Sequence, residues 1–94
     1  MSANDPYSVE LLSRSMDELE KKIGEMNPND PKCLEYENEL YALGEFRAAL
    51  KSEKNKLIIL RMERLAHEIA LSKPGGPRRT QIITSILRLT KPVE

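Results

Sequence analysis

The sequence is poor in the residues that stabilise small proteins through cross-links or a large core. Its 94 residues include one cysteine, one histidine, one phenylalanine and no tryptophan. With Cys33 as its single thiol and His67 as its single imidazole, one chain can form neither an internal disulfide nor a metal site of cysteine and histidine ligands. Because so short a chain builds only a thin core, self-association is the expected source of added stability.

A long apolar run and an enzyme signature are also absent. No apolar stretch approaches the ~20 residues of a membrane-spanning helix, and residues 1–5 lack the charged and apolar regions of a signal peptide. Residues 74–77, Pro-Gly-Gly-Pro, lack the lysine and the strand context of a phosphate-binding loop. Glu35, Glu37 and Glu39 alternate between helix faces and offer no carboxylate pair for acid–base chemistry. We expect a cytoplasmic protein without catalytic residues, metal, cofactor, small-molecule substrate or membrane contact.

What the chain has is charge, and it is unevenly divided. The formal net charge is zero, with 15 basic and 15 acidic side chains. Residues 1–46 carry 4 Lys or Arg against 11 Asp or Glu, whereas residues 47–94 carry 11 against 4. This division favours either a basic half that binds a partner or electrostatic pairing between the two halves.

The apolar spacing predicts an all-α hairpin in a single domain covering residues 1–94. The first helix is expected over about 6–26, with Asp5 as N-cap and Pro6 in the first helical position. Its apolar residues follow the heptad spacing of a coiled coil: Val9, Leu12, Met16, Leu19, Ile23 and Met26. Two prolines at 28 and 31 predict a turn over 27–31 and therefore an antiparallel partner helix.

The second helix is predicted to be unusually long, over about 32–72, because these 41 residues contain no proline and one glycine. It would extend about 60 Å. The apolar residues of its first half are expected to face helix one: Leu34, Tyr36, Leu40, Leu43, Phe46 and Leu50. Residues 51–56 contain no apolar side chain and predict a solvated waist. After a turn over 73–77, residues 78–90 favour a short third helix, although their β-branched residues keep a strand open as the alternative.

The half of the long helix beyond the waist predicts a self-association surface. Residues 57–60 are four consecutive aliphatics, which face every side of a helix and exceed what one short C-terminal segment covers. The residues expected to contact a partner, a second copy forming a homodimer or another protein, are Leu57, Ile58, Leu60, Met62, Leu65 and Ile69. The expected function is a non-enzymatic interaction module that serves as an adaptor, a regulator or an assembly subunit.

A row of cations on the same helix supports the alternative of a dimeric nucleic-acid-binding protein. These residues are Arg47, Lys51, Lys54, Arg61 and Arg64, of which the first, third and fourth recur every seven residues. Such a row can contact the phosphates of duplex RNA or DNA, and counterion release would supply the affinity. Because no aromatic residue interleaves with it, stacking on bases is not part of this interpretation. The competing interpretation is a solvated face or one paired with acidic residues.

A heptad helix, the turn Pro28-Asn29-Asp30-Pro31 and a longer second helix resemble the hairpin subunits of bacterial type III secretion needles, whose turn has a similar Pro-x-x-Pro form. The resemblance covers about residues 9–71 and leaves the segment beyond Pro74 without a counterpart. It implies a third function, that of a helical subunit or chaperone of a secretion or phage-like assembly. It assigns no functional residues.

Overall fold

A computed structural model of the chain describes residues 6–90, and these form four helices and no strand. The helices are α1 (Pro6–Glu25), α2 (Pro31–Ser52), α3 (Lys56–Leu71) and α4 (Pro77–Thr90). The predicted all-α class is confirmed. The predicted N-cap Asp5 and residues 91–94 lie outside the described residues.

The α1–α2 turn is built by the residues that predict it. Asp30 is the N-cap of α2, since its side chain accepts a hydrogen bond from the backbone N–H of Lys32 at 2.9 Å, and Pro31 begins the helix. Asn27 accepts another from the N–H of Asn29 at 2.9 Å. Further along, Arg47 donates to the Ser13 hydroxyl at 2.9 Å, so α2 runs back along α1.

The prediction of one continuous helix from 32 to 72 is wrong, because the chain breaks at residues 53–55 within the predicted waist. The Ser52 hydroxyl donates to the carbonyls of Ala48 and Ala49 at the end of α2. The Asn55 side chain accepts from the N–H groups of Leu57 and Ile58 at the start of α3. These local bonds satisfy backbone groups that a helix end leaves unpaired, so the break costs little.

The break lets α3 reverse direction and fold onto the hairpin. In this arrangement α1 packs against α2 and α3, and α4 covers the same two helices. Tyr7 in the first turn of α1 stacks at a tilt on His67 near the end of α3, with 5.5 Å between ring centroids. The longest dimension of the molecule is 42 Å, shorter than the single helix predicted from the sequence.

Each helix contributes one buried stripe with spacings of three and four residues, and these stripes meet in a single core. The stripes are Ser8, Leu12, Ser15 and Leu19 from α1; Glu39, Leu43, Phe46 and Leu50 from α2; Ile59, Met62, Ala66 and Ile69 from α3; and Arg79, Ile82 and Ile86 from α4. The narrow α1 seam predicted from apolar residues is therefore incomplete. Val9 and Met16 are only partly buried, because the most buried side of α1 is centred on Ser8, Leu12, Ser15 and Leu19.

A buried ion pair joins α4 to the rest of the molecule. Arg79 Nη1 and Glu39 Oε1 are 2.9 Å apart, and the side chains are 1% and 6% exposed. The same guanidinium donates to the carbonyls of Ile69 and Ser72, at 2.6 and 2.8 Å, and to the Ser72 hydroxyl. Arg79 therefore satisfies carbonyls at the C-terminus of α3, where the helix dipole favours a cation.

Gly75 fixes the α3–α4 turn, and its replacement by alanine is expected to cost about 1–3 kcal/mol of unfolding free energy. Its φ of 72° lies in the left-handed region, and an added Cβ would collide with the Tyr36 ring. Gly24→Ala is the matched control, because a Cβ there meets nothing within 4 Å. Alanine near the end of α1 should stabilise by up to about 1 kcal/mol. Urea unfolding followed by circular dichroism gives both values, and equal effects at the two glycines would contradict the prediction.

Candidate interaction surface

An open groove lies between α3 and α4 and holds a volume of about 430 Å³. Its lining consists of Leu57, Leu60, Arg61, Arg64 and Leu65 from α3 together with Ser85 from α4. Leu57 and Leu60 are 73% and 61% exposed and lie one turn apart on α3, so together they form an exposed apolar patch. We call this feature the α3–α4 groove.

The six residues predicted for self-association divide between this groove and the core. Leu57, Leu60 and Leu65 line the groove. Met62 and Ile69 are 1% and 0% exposed and belong to the core of the chain itself. Ile58 is half-buried against the core. The division follows from the α3 stripe, because Met62 and Ile69 occupy its three-and-four spacing whereas Leu57 and Leu60 lie on the opposite side.

The predicted row of cations is not continuous in the structure. Arg47 is half-buried and engaged with Ser13 across the hairpin. Lys51 is exposed in the last turn of α2, and Lys54 lies in the connection to α3. The seven-residue register therefore ends at the break, since α3 starts anew in another direction.

Arg61 and Arg64 lie instead beside the leucines of the α3–α4 groove. Residues predicted for nucleic-acid binding and residues predicted for self-association therefore share one surface. Both guanidinium groups are exposed, and within residues 6–90 neither makes an ion pair with a carboxylate. The ion pairs that join one described residue to another are Arg14 with Glu10, Arg78 with Glu68, and Arg79 with Glu39. The groove thus combines exposed apolar surface with two uncompensated positive charges.

Sequence reasoning missed the contribution of α4 to the groove. Ser85 lies on the exposed side of α4, and its hydroxyl donates to the Gln81 carbonyl at 3.2 Å. The residue carried no distinguishing signal, because a serine on the polar face of a short helix is ordinary. The groove exists because the turn over 72–76 brings α4 back alongside α3.

The described residues include neither a membrane-spanning helix nor a group of metal-ligating side chains. None of the helices over residues 6–90 is long and apolar enough to cross a membrane. Across the same part of the chain, no three His, Cys, Asp or Glu side chains are grouped so that they could hold a metal ion. Cys33 is a free, buried thiol near the start of α2.

Comparison with known proteins returns no match: no family model fits the chain, and no curated protein and no solved structure is significantly similar to it.

Proposed function

We propose that the protein is a non-enzymatic helical interaction module that self-associates through the α3–α4 groove. The observation that carries the proposal is the exposure of Leu57 and Leu60 next to Arg61 and Arg64, which lack ion-pair partners among the described residues. Burying a leucine stabilises a complex by about 1.5–3 kcal/mol. Arginine is enriched in protein interfaces because its guanidinium binds carboxylates in a bidentate manner.

The charge division supports a second copy as the partner. The basic residues of the groove belong to the half of the chain with 11 Lys or Arg, and each copy also carries an acidic half with 11 Asp or Glu. Complementary charges steer two surfaces together and select the orientation in which they meet. A cytoplasmic location and service as an adaptor, a regulator or an assembly subunit, including one of a secretion or phage-like assembly, remain part of this proposal.

Sedimentation velocity over a range of protein concentrations tests self-association. We expect the mass of the wild type to rise with concentration, and Leu60→Lys to weaken association by about tenfold or more, since it places a third cation among the arginines and removes apolar contact. Leu71→Lys is the matched control, because Leu71 is 88% exposed on α3 outside the groove and should leave association unchanged. A wild type that stays monomeric at the highest concentration would refute the proposal.

Binding of duplex RNA or DNA is the second candidate function. The observation in its favour is that Lys51, Lys54, Arg61 and Arg64 are exposed and that their side chains form no ion pair with another described residue. The interrupted row and the engagement of Arg47 favour self-association over this candidate. Titrating labelled duplexes at low and moderate salt discriminates the two, because phosphate binding weakens steeply as salt rises. We expect no binding at low salt. Salt-sensitive binding that is lost in Lys54→Glu would establish the second function.

A further inference from the structure

The outward side of α2 carries a second patch of exposed apolar residues. Leu34 and Tyr41 are 63% and 71% exposed and lie seven residues apart, hence on the same side of the helix. Glu37 and Glu45 are exposed beside them. We call these four residues the α2 face. The prediction that Leu34 faces α1 is wrong, because Leu34 is mostly exposed, and the contacts to α1 are made from the side of α2 that carries Gly44 and Arg47.

The acidic residues of the α2 face are not neutralised within the described part of the chain. Neither Glu37 nor Glu45 makes an ion pair with a described cation. The pKa of Tyr41 is raised, first because its side chain is hydrogen-bonded to Glu45 and then because that negative charge opposes loss of the phenol proton. Tyr41 and Glu45 thus form an apolar ring beside a carboxylate, which is the chemical complement of a leucine beside an arginine.

The α2 face and the α3–α4 groove are separate surfaces of one molecule. No residue lines both, and the face is carried by α2, whereas the groove is formed by α3 and α4. Glu39 and Ala42 occupy the side of α2 toward α4, and Gly44 and Arg47 the side toward α1. Within one copy the α2 face therefore cannot bind the groove. The α2 face of one copy can instead bind the groove of a second copy.

We propose that the groove of one copy binds the α2 face of the next, so that association runs head to tail. Leu57, Leu60 and Leu65 receive Leu34 and Tyr41, while Arg61 and Arg64 pair with Glu37 and Glu45. This inference rests on the proposed function and adds the partner surface to it. A head-to-tail contact leaves one groove and one α2 face open on every dimer, so growth continues unless a ring closes. Because exposed charges are involved, added salt weakens the contact.

Two variants that each disable one surface test the inference in sedimentation velocity. Leu60→Lys disables the groove, and Tyr41→Lys disables the α2 face. Both side chains are exposed, so circular dichroism should show wild-type helicity. We expect each variant alone to be monomeric at concentrations where the wild type associates. An equimolar mixture should form a 1:1 heterodimer and nothing larger, because only one productive contact is available.

The outcomes separate this inference from the proposed function. A monomeric wild type refutes both. If the wild type and Tyr41→Lys associate alike while Leu60→Lys does not, self-association through the groove stands but the α2 face is not its occupant. Two monomeric variants that fail to combine in the mixture also overturn the pairing of these surfaces.

Charge reversal gives an independent test that leaves the apolar residues in place. The double variants Arg61→Glu/Arg64→Glu and Glu37→Lys/Glu45→Lys should each lose association at low salt by about tenfold or more, since like charges then face each other. Combining all four substitutions in one chain should restore association. Failure of the combined variant to associate, when its circular dichroism is that of the wild type, overturns the assigned ion pairs.

Discussion

Replacing Arg79 with methionine is expected to lower the free energy of unfolding by about 3–5 kcal/mol, because the substitution leaves the buried carboxylate of Glu39 without its cation. The carbonyls of Ile69 and Ser72 also lose their donor. A domain of this size has a total stability of about 5–15 kcal/mol, so the variant should be close to unfolding. Urea unfolding at low protein concentration, followed by circular dichroism, measures the loss without a contribution from self-association.

The neighbouring arginine supplies the control for this prediction. Arg78 pairs with Glu68 on the surface, where its side chain is 62% exposed, so Arg78→Met should cost no more than about 1 kcal/mol. Glu39→Met combined with Arg79→Met should be more stable than Arg79→Met alone, since no unpaired buried charge remains. Similar losses in Arg78→Met and Arg79→Met, or no recovery in the double variant, would contradict a buried ion pair.

The position of this ion pair shows why the sequence predicts only part of the core. Glu39 and Arg79 occupy the same three-and-four spacing as the apolar core residues of their helices. A pattern that counts only apolar residues leaves them out, together with Ser8 and Ser15. A glutamate in a core register does not by itself identify its partner, which lies 40 positions away and meets it only after two chain reversals.

Residues 51–56, which have no apolar side chain, mark the break in the sequence, but the same feature is compatible with a solvated stretch of continuous helix. Intrinsic helix preferences do not separate the two outcomes there, because glutamate and lysine are good helix formers. What decides is tertiary packing. With the break, Ile59 and Met62 pack in the core with residues of α1 and α2. In a straight helix they would extend beyond the end of the α1–α2 hairpin.

The sequence identifies the α3 residues that line the groove but not their arrangement, and it also assigns the buried Met62 and Ile69 to the same surface. The aliphatic run predicted Leu57 and Leu60, and the cation row predicted Arg61 and Arg64, as parts of different functions. Helical spacing places all four on nearby positions of α3, yet their common groove depends on α4 returning along that helix. The α2 face could not be found in advance, because the apolar character of Leu34 favoured a buried position.

Leu43→Ala is expected to lower the free energy of unfolding by about 2–5 kcal/mol. Leu43 is fully buried in the middle of the α2 stripe and belongs to the single core cluster that all four helices share. Truncation removes apolar contacts and leaves a cavity, which closely packed neighbours fill only in part. Chemical unfolding at low protein concentration measures the loss, and the slope of the transition should stay unchanged if the folded and unfolded states expose the same surface.

Leu71→Ala provides the matched control, since it makes the same chemical change at a side chain that is 88% exposed. We expect it to alter the free energy of unfolding by no more than about 0.5 kcal/mol. The difference between the two variants therefore reports mainly burial, because the side-chain change is identical and leucine and alanine both have high helix propensity. Comparable effects at Leu43 and Leu71 would mean that the four stripes do not form one core. A loss below about 1 kcal/mol at Leu43 would place that residue at a surface rather than in the centre of the fold.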